Sequence, residues 1–127
     1  MSADQLERAL HSADPDVRRQ AVYRMSLRPQ GTPLTQILEA LSDSDWRVRR
    51  EAISLAAQTR EAGALIDALL GRVVDTDNIG LRNAAIEVLG LIGQGKAAQF
   101  ARACEDANDS GRKFLIEAMG KTRDPQM

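Results

Sequence analysis

The feature that most constrains the fold is a short pattern that returns four times along the 127 residues. Each copy begins with a turn Asp or Asn, followed by an apolar residue, a basic residue and then small and aliphatic residues. The copies start at Asp14, Asp45, Asn78 and Asn108. Their apolar position holds Val17, Val48, Leu81 and Gly111, at steps of 31, 33 and 30 residues. A repeat of this length is typical of stacked supersecondary units, in which each unit buries its apolar face only against its neighbours.

Each repeat predicts two helices, because apolar residues recur at helical spacing on both sides of the turn. The repeats span approximately residues 1–29, 30–60, 61–93 and 94–127, within a single domain 1–127. The predicted helices cover residues 3–11, 15–27, 32–41, 46–59, a helix that begins near 61, then 79–92, 96–105 and 109–121. No strand pattern competes, so the sequence predicts an all-α fold of about four helical hairpins.

Three columns shared by the copies carry most of this signal. The four turn residues are strong N-caps, each worth about 1 kcal/mol relative to Ala. A column of small residues fits a close approach of helices, and it holds Ala21, Ala52, Ala85 and, as an exception, Leu115. The aliphatic column after it holds Val22, Ile53, Ile86 and Ile116. We expect both columns, together with Val17, to face the core.

Composition excludes several classes of function. The 17 basic and 18 acidic residues give a formal net charge of −1, which argues against a chain that coats nucleic acid or a membrane through bulk charge. The single cysteine, Cys104, and the single histidine, His11, exclude an internal disulfide and a clustered His/Cys metal site. No signal-peptide pattern or long apolar run is present, so a cytoplasmic protein with no membrane insertion is expected. No cofactor is predicted.

The repeat resembles the short bacterial HEAT repeats that are also described as bilin-lyase-like HEAT repeats. In the first repeat the resemblance rests on Leu6-Glu7-Arg8-Ala9-Leu10 followed by Asp14-Pro15-Asp16-Val17-Arg18. In the second it rests on Ile37-Leu38-Glu39-Ala40-Leu41 followed by Asp43-Ser44-Asp45-Trp46-Arg47-Val48-Arg49. The third repeat has Asn78 where the family has Asp, and the fourth has Gly111 where the family has Val. The resemblance implies a right-handed α-solenoid of about four HEAT-like helical hairpins.

The last residues look like the start of another repeat. Gly120 is followed by Asp124-Pro125, in the order of a helix end, a turn and a new cap. Two interpretations follow: the fourth repeat caps the array, or the chain is part of a longer array.

Two sets of polar residues on the second helices are candidates for contact. The first set is an arginine column, Arg18, Arg49, Arg82 and Arg112, which the resemblance implies to be a structural ladder that pairs with acidic or capping residues of a neighbouring repeat. The second set shares one helix face, on columns one turn apart, and forms a candidate partner-binding ridge. It comprises Arg19, Tyr23, Trp46, Arg47, Arg50, Ser54, Asn83, Glu87, Lys113 and Glu117. The resemblance implies that this ridge is concave; the alternative is a merely solvated face.

Three further residues, Trp46, His11 and Cys104, have side chains with distinctive chemistry. Trp46 lies in the first turn of a predicted helix and fits either a buried anchor or an exposed contact, with partial exposure favoured. His11 lies at a helix end, and no nucleophile or carboxylate constellation recurs around it. Cys104 fits a small core position. No catalytic residue is predicted.

The sequence therefore predicts a non-catalytic scaffold or adaptor that binds a protein of unknown identity on the concave ridge. One alternative is nucleic-acid binding, because some HEAT-like DNA-repair glycosylases hold DNA in a basic channel, although the basic residues here fade after the second repeat. Another is a bilin lyase-like enzyme or chaperone factor, which rests on the resemblance alone. End-to-end self-association through apolar faces at the ends of the array is a further expectation.

Overall fold

The computed structural model describes residues 2–127 and contains eight α-helices in that range. They are α1 (Ala3–Leu10), α2 (Pro15–Ser26), α3 (Leu34–Leu41), α4 (Trp46–Ala57), α5 (Ala62–Val74), α6 (Ile79–Ile92), α7 (Ala97–Asp106) and α8 (Asp109–Thr122). A short 3-10 helix, Pro29–Gly31, lies between α2 and α3. No strand occurs in the described range. The prediction of an all-α fold built from helical hairpins is confirmed, while its handedness stays a prediction.

The turn residues cap the second helices as the sequence predicts. The carboxylates of Asp14 and Asp45 accept hydrogen bonds from the backbone N–H of Asp16, at 2.9 Å, and Arg47, at 2.8 Å. The amide oxygens of Asn78 and Asn108 accept from Leu81, at 2.9 Å, and Gly111, at 2.8 Å. Each bond satisfies one of the N–H groups that a helix start leaves without a partner.

The chain divides into two compact units, Met1–Glu61 and Ala62–Met127. In the first unit α1 packs on α2, α3 packs on α4, and the two second helices, α2 and α4, lie against each other. The core between them is aliphatic and fully buried at Val22, Ile37, Leu41, Val48 and Leu55. This packing fixes the exposed faces of α2 and α4 as neighbours on one surface.

In the second unit α5 packs on α6, α7 packs on α8, and α6 lies against α8. Helix α8 also contacts α5, and Gly111 explains the close approach. A Cβ at Gly111 would lie 3.0 Å from the Cβ of Val74, tighter than ordinary van der Waals contact. The departure of the fourth repeat from the Val pattern therefore has a packing cause.

The carboxylate of Asp124, after α8, binds the loop before α7. Asp124 accepts a hydrogen bond from the backbone N–H of Gly95, at 2.7 Å, and another from Gln126, at 2.9 Å. These two bonds lower the pKa of Asp124, because they favour the ionised carboxylate. Gly95 has a φ of 83°, a left-handed conformation that glycine adopts without strain.

Three residues expected in the core are not fully buried. Val17 is 39% exposed and Ile116 is 61% exposed, whereas Ile53 is half-buried. Val48, at the position equivalent to Val17, is fully buried. Helical periodicity identifies the apolar stripe, but the presence of a neighbour decides whether its edge is buried.

Candidate functional site

The arginine column holds the turns of its own repeats. The guanidinium groups of Arg18, Arg49 and Arg82 each donate to the backbone carbonyl six residues earlier, at 2.9, 2.8 and 2.7 Å. In the fourth repeat Arg112 donates instead to the carbonyl of Cys104, at 2.9 Å. These bonds tie the second helix of each hairpin to the end of the first. The predicted structural role is confirmed, but the recurrent partner is the hairpin's own turn rather than a neighbouring repeat.

The same turns contain a second recurrent bond. Ser12, Asp43 and Thr76 stand two residues before a cap, and their side chains accept from the backbone N–H of that cap at 3.1, 2.9 and 3.1 Å. Each of these residues therefore binds the cap through its side chain and the arginine through its carbonyl. A turn held at both ends gives the second helix a fixed starting point.

One arginine of this column does connect neighbouring repeats. Arg18 forms two parallel hydrogen bonds with the carboxylate of Asp43, at 2.9 and 3.1 Å. Both side chains are largely buried, and the hydrogen bond to Asp43 raises the pKa of Arg18. A bidentate pair of this kind is geometrically specific and little screened by water. It ties the hairpin of α1 and α2 to the hairpin of α3 and α4.

In the second unit Arg82 contacts an aromatic ring, whereas Arg18 in the first unit contacts a carboxylate. The guanidinium carbon of Arg82 lies 4.3 Å from the ring centroid of Phe114, on α8, within cation–π range. Its Nε is buried without a hydrogen-bond partner among the described residues. These arginines are thus committed to structure and are poor candidates for binding a partner.

The first unit carries six residues of the candidate ridge: Arg19, Tyr23, Trp46, Arg47, Arg50 and Ser54. All six lie on α2 or α4, and all are exposed except Arg19, which is half-buried. Because α2 and α4 pack against each other, the structure brings these side chains to one surface. We call this surface the α2/α4 face.

Two arginines of the α2/α4 face are neutralised by carboxylates. Arg19 pairs with Asp16, at 3.0 Å, and approaches Glu51 across the helix pair, at 3.9 Å. Arg47 pairs with Asp45, at 3.3 Å, and its hydrogen bonds lower the pKa of Asp45. Within the described residues Arg50 makes no hydrogen bond or ion pair. The face therefore presents one free guanidinium beside a balanced set of charges, and not a basic channel.

Aromatic side chains give the α2/α4 face its chemical character. The chain has one tryptophan, one tyrosine and two phenylalanines. Phe100 is buried and Phe114 is half-buried, whereas Trp46 is 59% exposed and Tyr23 is 50% exposed. The predicted partial exposure of Trp46 is confirmed. Trp46 and Arg50 are one turn apart on α4, so the indole and the free guanidinium share a helix face.

The second unit carries the other four ridge residues, Asn83 and Glu87 on α6 and Lys113 and Glu117 on α8, and all are exposed. On α6 the exposed line also contains Ile79 and Leu91, which are 66% and 61% exposed. The sequence reasoning did not assign these two residues to the ridge. Ile79 lies four residues before Asn83, and Leu91 lies four residues after Glu87, so helical spacing predicts that they share one line. The sequence analysis missed this because it expected aliphatic residues in the core.

His11 and Cys104 lie in different compact units. His11 Nε2 contacts Glu39 Oε1, which joins α1 to α3, and both side chains are about half exposed. Cys104 is half-buried, less than the core position expected for it. Among residues 2–127 no group of three or more His, Cys, Asp and Glu side chains is arranged to hold a metal ion.

Paired hairpins with capped second helices define an α-helical repeat protein. The family model for HEAT repeats matches residues 3–90 and, in an overlapping register, residues 32–120. The chain therefore belongs to the HEAT-repeat family, whose members are generally protein-interaction scaffolds and generally not enzymes. A search of curated proteins found no match to this chain. No helix of residues 2–127 is long and apolar enough to cross a membrane.

Proposed function

We propose that this protein is a non-catalytic scaffold or adaptor whose α2/α4 face binds a partner protein. The family resemblance predicts this face to be concave. The partner would contact Tyr23, Trp46 and Arg50 in the first unit. In the second unit, Asn83, Glu87, Lys113 and Glu117 are exposed and are proposed as further contact residues.

One observation carries the proposal: the only tryptophan and the only tyrosine are both at least half exposed, on two helices that pack against each other. An aromatic side chain left in water forgoes about 1.5–3 kcal/mol of burial free energy. Trp, Tyr and Arg are also the residues that most often dominate the binding energy of protein interfaces. The unpaired guanidinium of Arg50 supplies the third residue of this set, and it favours an acidic group on the partner.

Charge pairing weighs against nucleic acid as the partner. A phosphate-binding surface needs several unpaired cations, because each neutralised phosphate contributes to affinity. On the α2/α4 face Arg19 and Arg47 are already paired with carboxylates. The bilin lyase-like alternative gains no support from any side-chain constellation described above.

The proposal is tested by affinity capture from an extract of the source cells, followed by mass spectrometry. The bait is the full chain, compared with a Trp46→Ala, Arg50→Glu variant and with an Arg72→Glu control at an exposed arginine on α5. We expect a defined protein that the native chain and the control retain and the Trp46/Arg50 variant loses.

Purified partner and bait would then be compared by calorimetry. Removal of an interface tryptophan is expected to weaken binding by about 2 kcal/mol or more, roughly thirtyfold. Equal retention by all three baits would refute the α2/α4 face as the binding surface. Recovery of nucleic acid in place of protein would refute the adaptor function.

We also propose that apolar residues at the open sides of α2 and α8 support end-to-end self-association. Val17 and Ile116 are the exposed aliphatic residues that such a contact would use. Sedimentation velocity over a concentration series tests this idea: dimers should form in the native chain and be absent in an Ile116→Lys variant. A monomer at all concentrations would exclude it.

A further inference from the structure

A groove at the C-terminal end of α2 lies outside the α2/α4 face described above. It is bounded by α1, α2 and the 3-10 helix, and its volume is about 320 Å³. Leu6, Met25 and Leu27 contribute apolar lining, and Arg24, Arg28 and Thr32 contribute polar groups. Gly31, also in the lining, faces open space, since a Cβ there would meet no atom within 4 Å. The groove can therefore accept a side chain.

The two guanidinium groups in this groove are unpaired. Among residues 2–127 neither Arg24 nor Arg28 forms a side-chain hydrogen bond or an ion pair, although Arg18, Arg19 and Arg47 in the same unit pair with carboxylates. A cation near a helix C-terminus is favoured by the helix dipole, which accounts for Arg24. It does not account for Arg28, which lies beyond the last residue of α2 and bonds no carbonyl with its side chain.

The groove continues past Leu6 into a second depression of about 250 Å³, where Asp4, Glu7 and Gln36 join the lining. Charge is thus distributed along it, with two arginines at one end and two carboxylates at the other. A ligand that complements this arrangement has an acidic group at the arginine end, apolar groups over Leu6 and Met25, and no second acidic group. Arginine recognises carboxylates with good geometry and strength.

We infer that this groove is a docking site for a peptide segment in which one acidic residue is followed by apolar residues. Its extent beyond the arginines, to Gln36, favours a peptide over a single small acid. The hydroxyl of Thr32 and the amide of Gln36 are available to main-chain groups of such a segment. The site does not depend on the α2/α4 face, because it uses other side chains.

The test uses the full chain, labelled with 15N, and an acetylated and amidated tetrapeptide of glutamate, leucine, serine and leucine. The chemical shifts of the backbone amides are measured as increasing amounts of the peptide are added. We expect saturable shifts confined to residues 24–32 and to the start of α1. A second peptide, with glutamine in place of glutamate, is expected to bind about tenfold more weakly, because it lacks the charge.

A double variant, Arg24→Gln with Arg28→Gln, is expected to lose the preference for the glutamate peptide. Arg72→Gln, an exposed arginine on α5, serves as the matched control and should keep it. The two peptides on the native chain give an answer even if the double variant folds poorly. Equal affinity for both peptides would overturn the inference. Saturation of the same shifts by 4-methylpentanoate at equal affinity would overturn the peptide assignment in favour of a small acid.

Discussion

Single residues in this chain divide into those that hold turns and those that remain free to bind. Arg18 and Arg19 are adjacent in sequence, yet Arg18 is largely buried against Asp43, whereas Arg19 lies on the surface with Asp16. The difference follows from the 100° rotation between successive helix positions. The arginine column that begins with Arg18 is therefore structural, whereas the next column, which begins with Arg19, faces the surface.

The Arg18–Asp43 pair should contribute measurably to stability. Arg18→Met removes two hydrogen bonds to the carboxylate and two to the carbonyls of Ser12 and Ala13. We expect the free energy of unfolding to fall by about 2–3 kcal/mol, because charged hydrogen bonds are lost and a partly buried carboxylate is left unpaired. Urea denaturation measures this change in the free energy of unfolding. Arg24→Met, on the exposed side of the same helix, should change stability by less than about 0.5 kcal/mol; equal losses in both would contradict the assigned role.

Two helical glycines should respond to alanine in opposite directions. A Cβ at Gly90, on α6, would lie 2.7 Å from the Cβ of Lys121, on α8, whereas a Cβ at Gly71, on α5, would meet nothing within 4 Å. Gly90→Ala is expected to cost about 1–3 kcal/mol through overpacking. Gly71→Ala is expected to gain about 0.5–1 kcal/mol through helix propensity. Thermal unfolding followed by circular dichroism separates them, and a stabilising Gly90→Ala would refute the close approach of α6 and α8.

At the scale of elements, the helices begin where side chains can cap them. All four second helices start at an Asp or Asn whose side chain accepts a backbone N–H. The first helices differ: α1 has a capping box formed by Ser2 and Gln5, whereas no side-chain cap bond occurs at Pro33 or Lys96. The second helices therefore carry the stronger start signals, and they are also the helices that pack against each other in each unit.

The cap of α4 predicts a dependence of stability on pH. Hydrogen bonds from the side chain and backbone of Arg47 lower the pKa of Asp45 below its usual value of 3.8. Because the folded pKa is lower than the unfolded one, the stabilisation is present above about pH 4 and is lost as the pH falls through the folded pKa. Asp45→Asn should therefore lower Tm at neutral pH and approach the native chain at about pH 2. A Tm difference that persists unchanged at acid pH would show that the charge is not the cause.

At the scale of the whole chain, positive and negative charges nearly balance, and the exposed aromatic side chains are confined to one surface. The net charge is −1, and the exposed aromatic residues lie on the α2/α4 face. Family membership fixes the architecture as a repeat of helical hairpins, and such arrays generally present surface for binding other proteins. The interaction surface proposed here is therefore small, aromatic and only weakly cationic.

The near-balance of positive and negative charges predicts only a weak, non-specific interaction with nucleic acid. A labelled 20-base-pair DNA should show no shift in electrophoretic mobility at about 150 mM salt, because the paired arginines release few counterions. A charge-reversal control, Asp16→Lys with Glu51→Lys, frees Arg19 and should increase binding at low salt. Tight, salt-sensitive binding by the native chain would instead restore the nucleic-acid alternative.

The sequence alone determined the helices and much of the exposed surface. Periodicity and cap chemistry located all eight helices, because both act through neighbours along the chain. The same patterns placed Arg19, Trp46 and Arg50 on the outer side of their helices. They gave no information on the pairing of Arg18 with Asp43, because Asp43 belongs to another repeat.

Tertiary structure decided the remaining features. Val17 and Val48 occupy equivalent positions in the repeat, yet Val17 is 39% exposed and Val48 is fully buried. Gly111 departs from the Val pattern of the repeat, and the close approach of α5 to α8 is the reason. The groove with Arg24 and Arg28 likewise exists only because α1, α2 and the 3-10 helix meet there. Local patterns specify helices through contacts a few residues apart, whereas burial, charge pairing and grooves arise from contacts between residues distant in sequence.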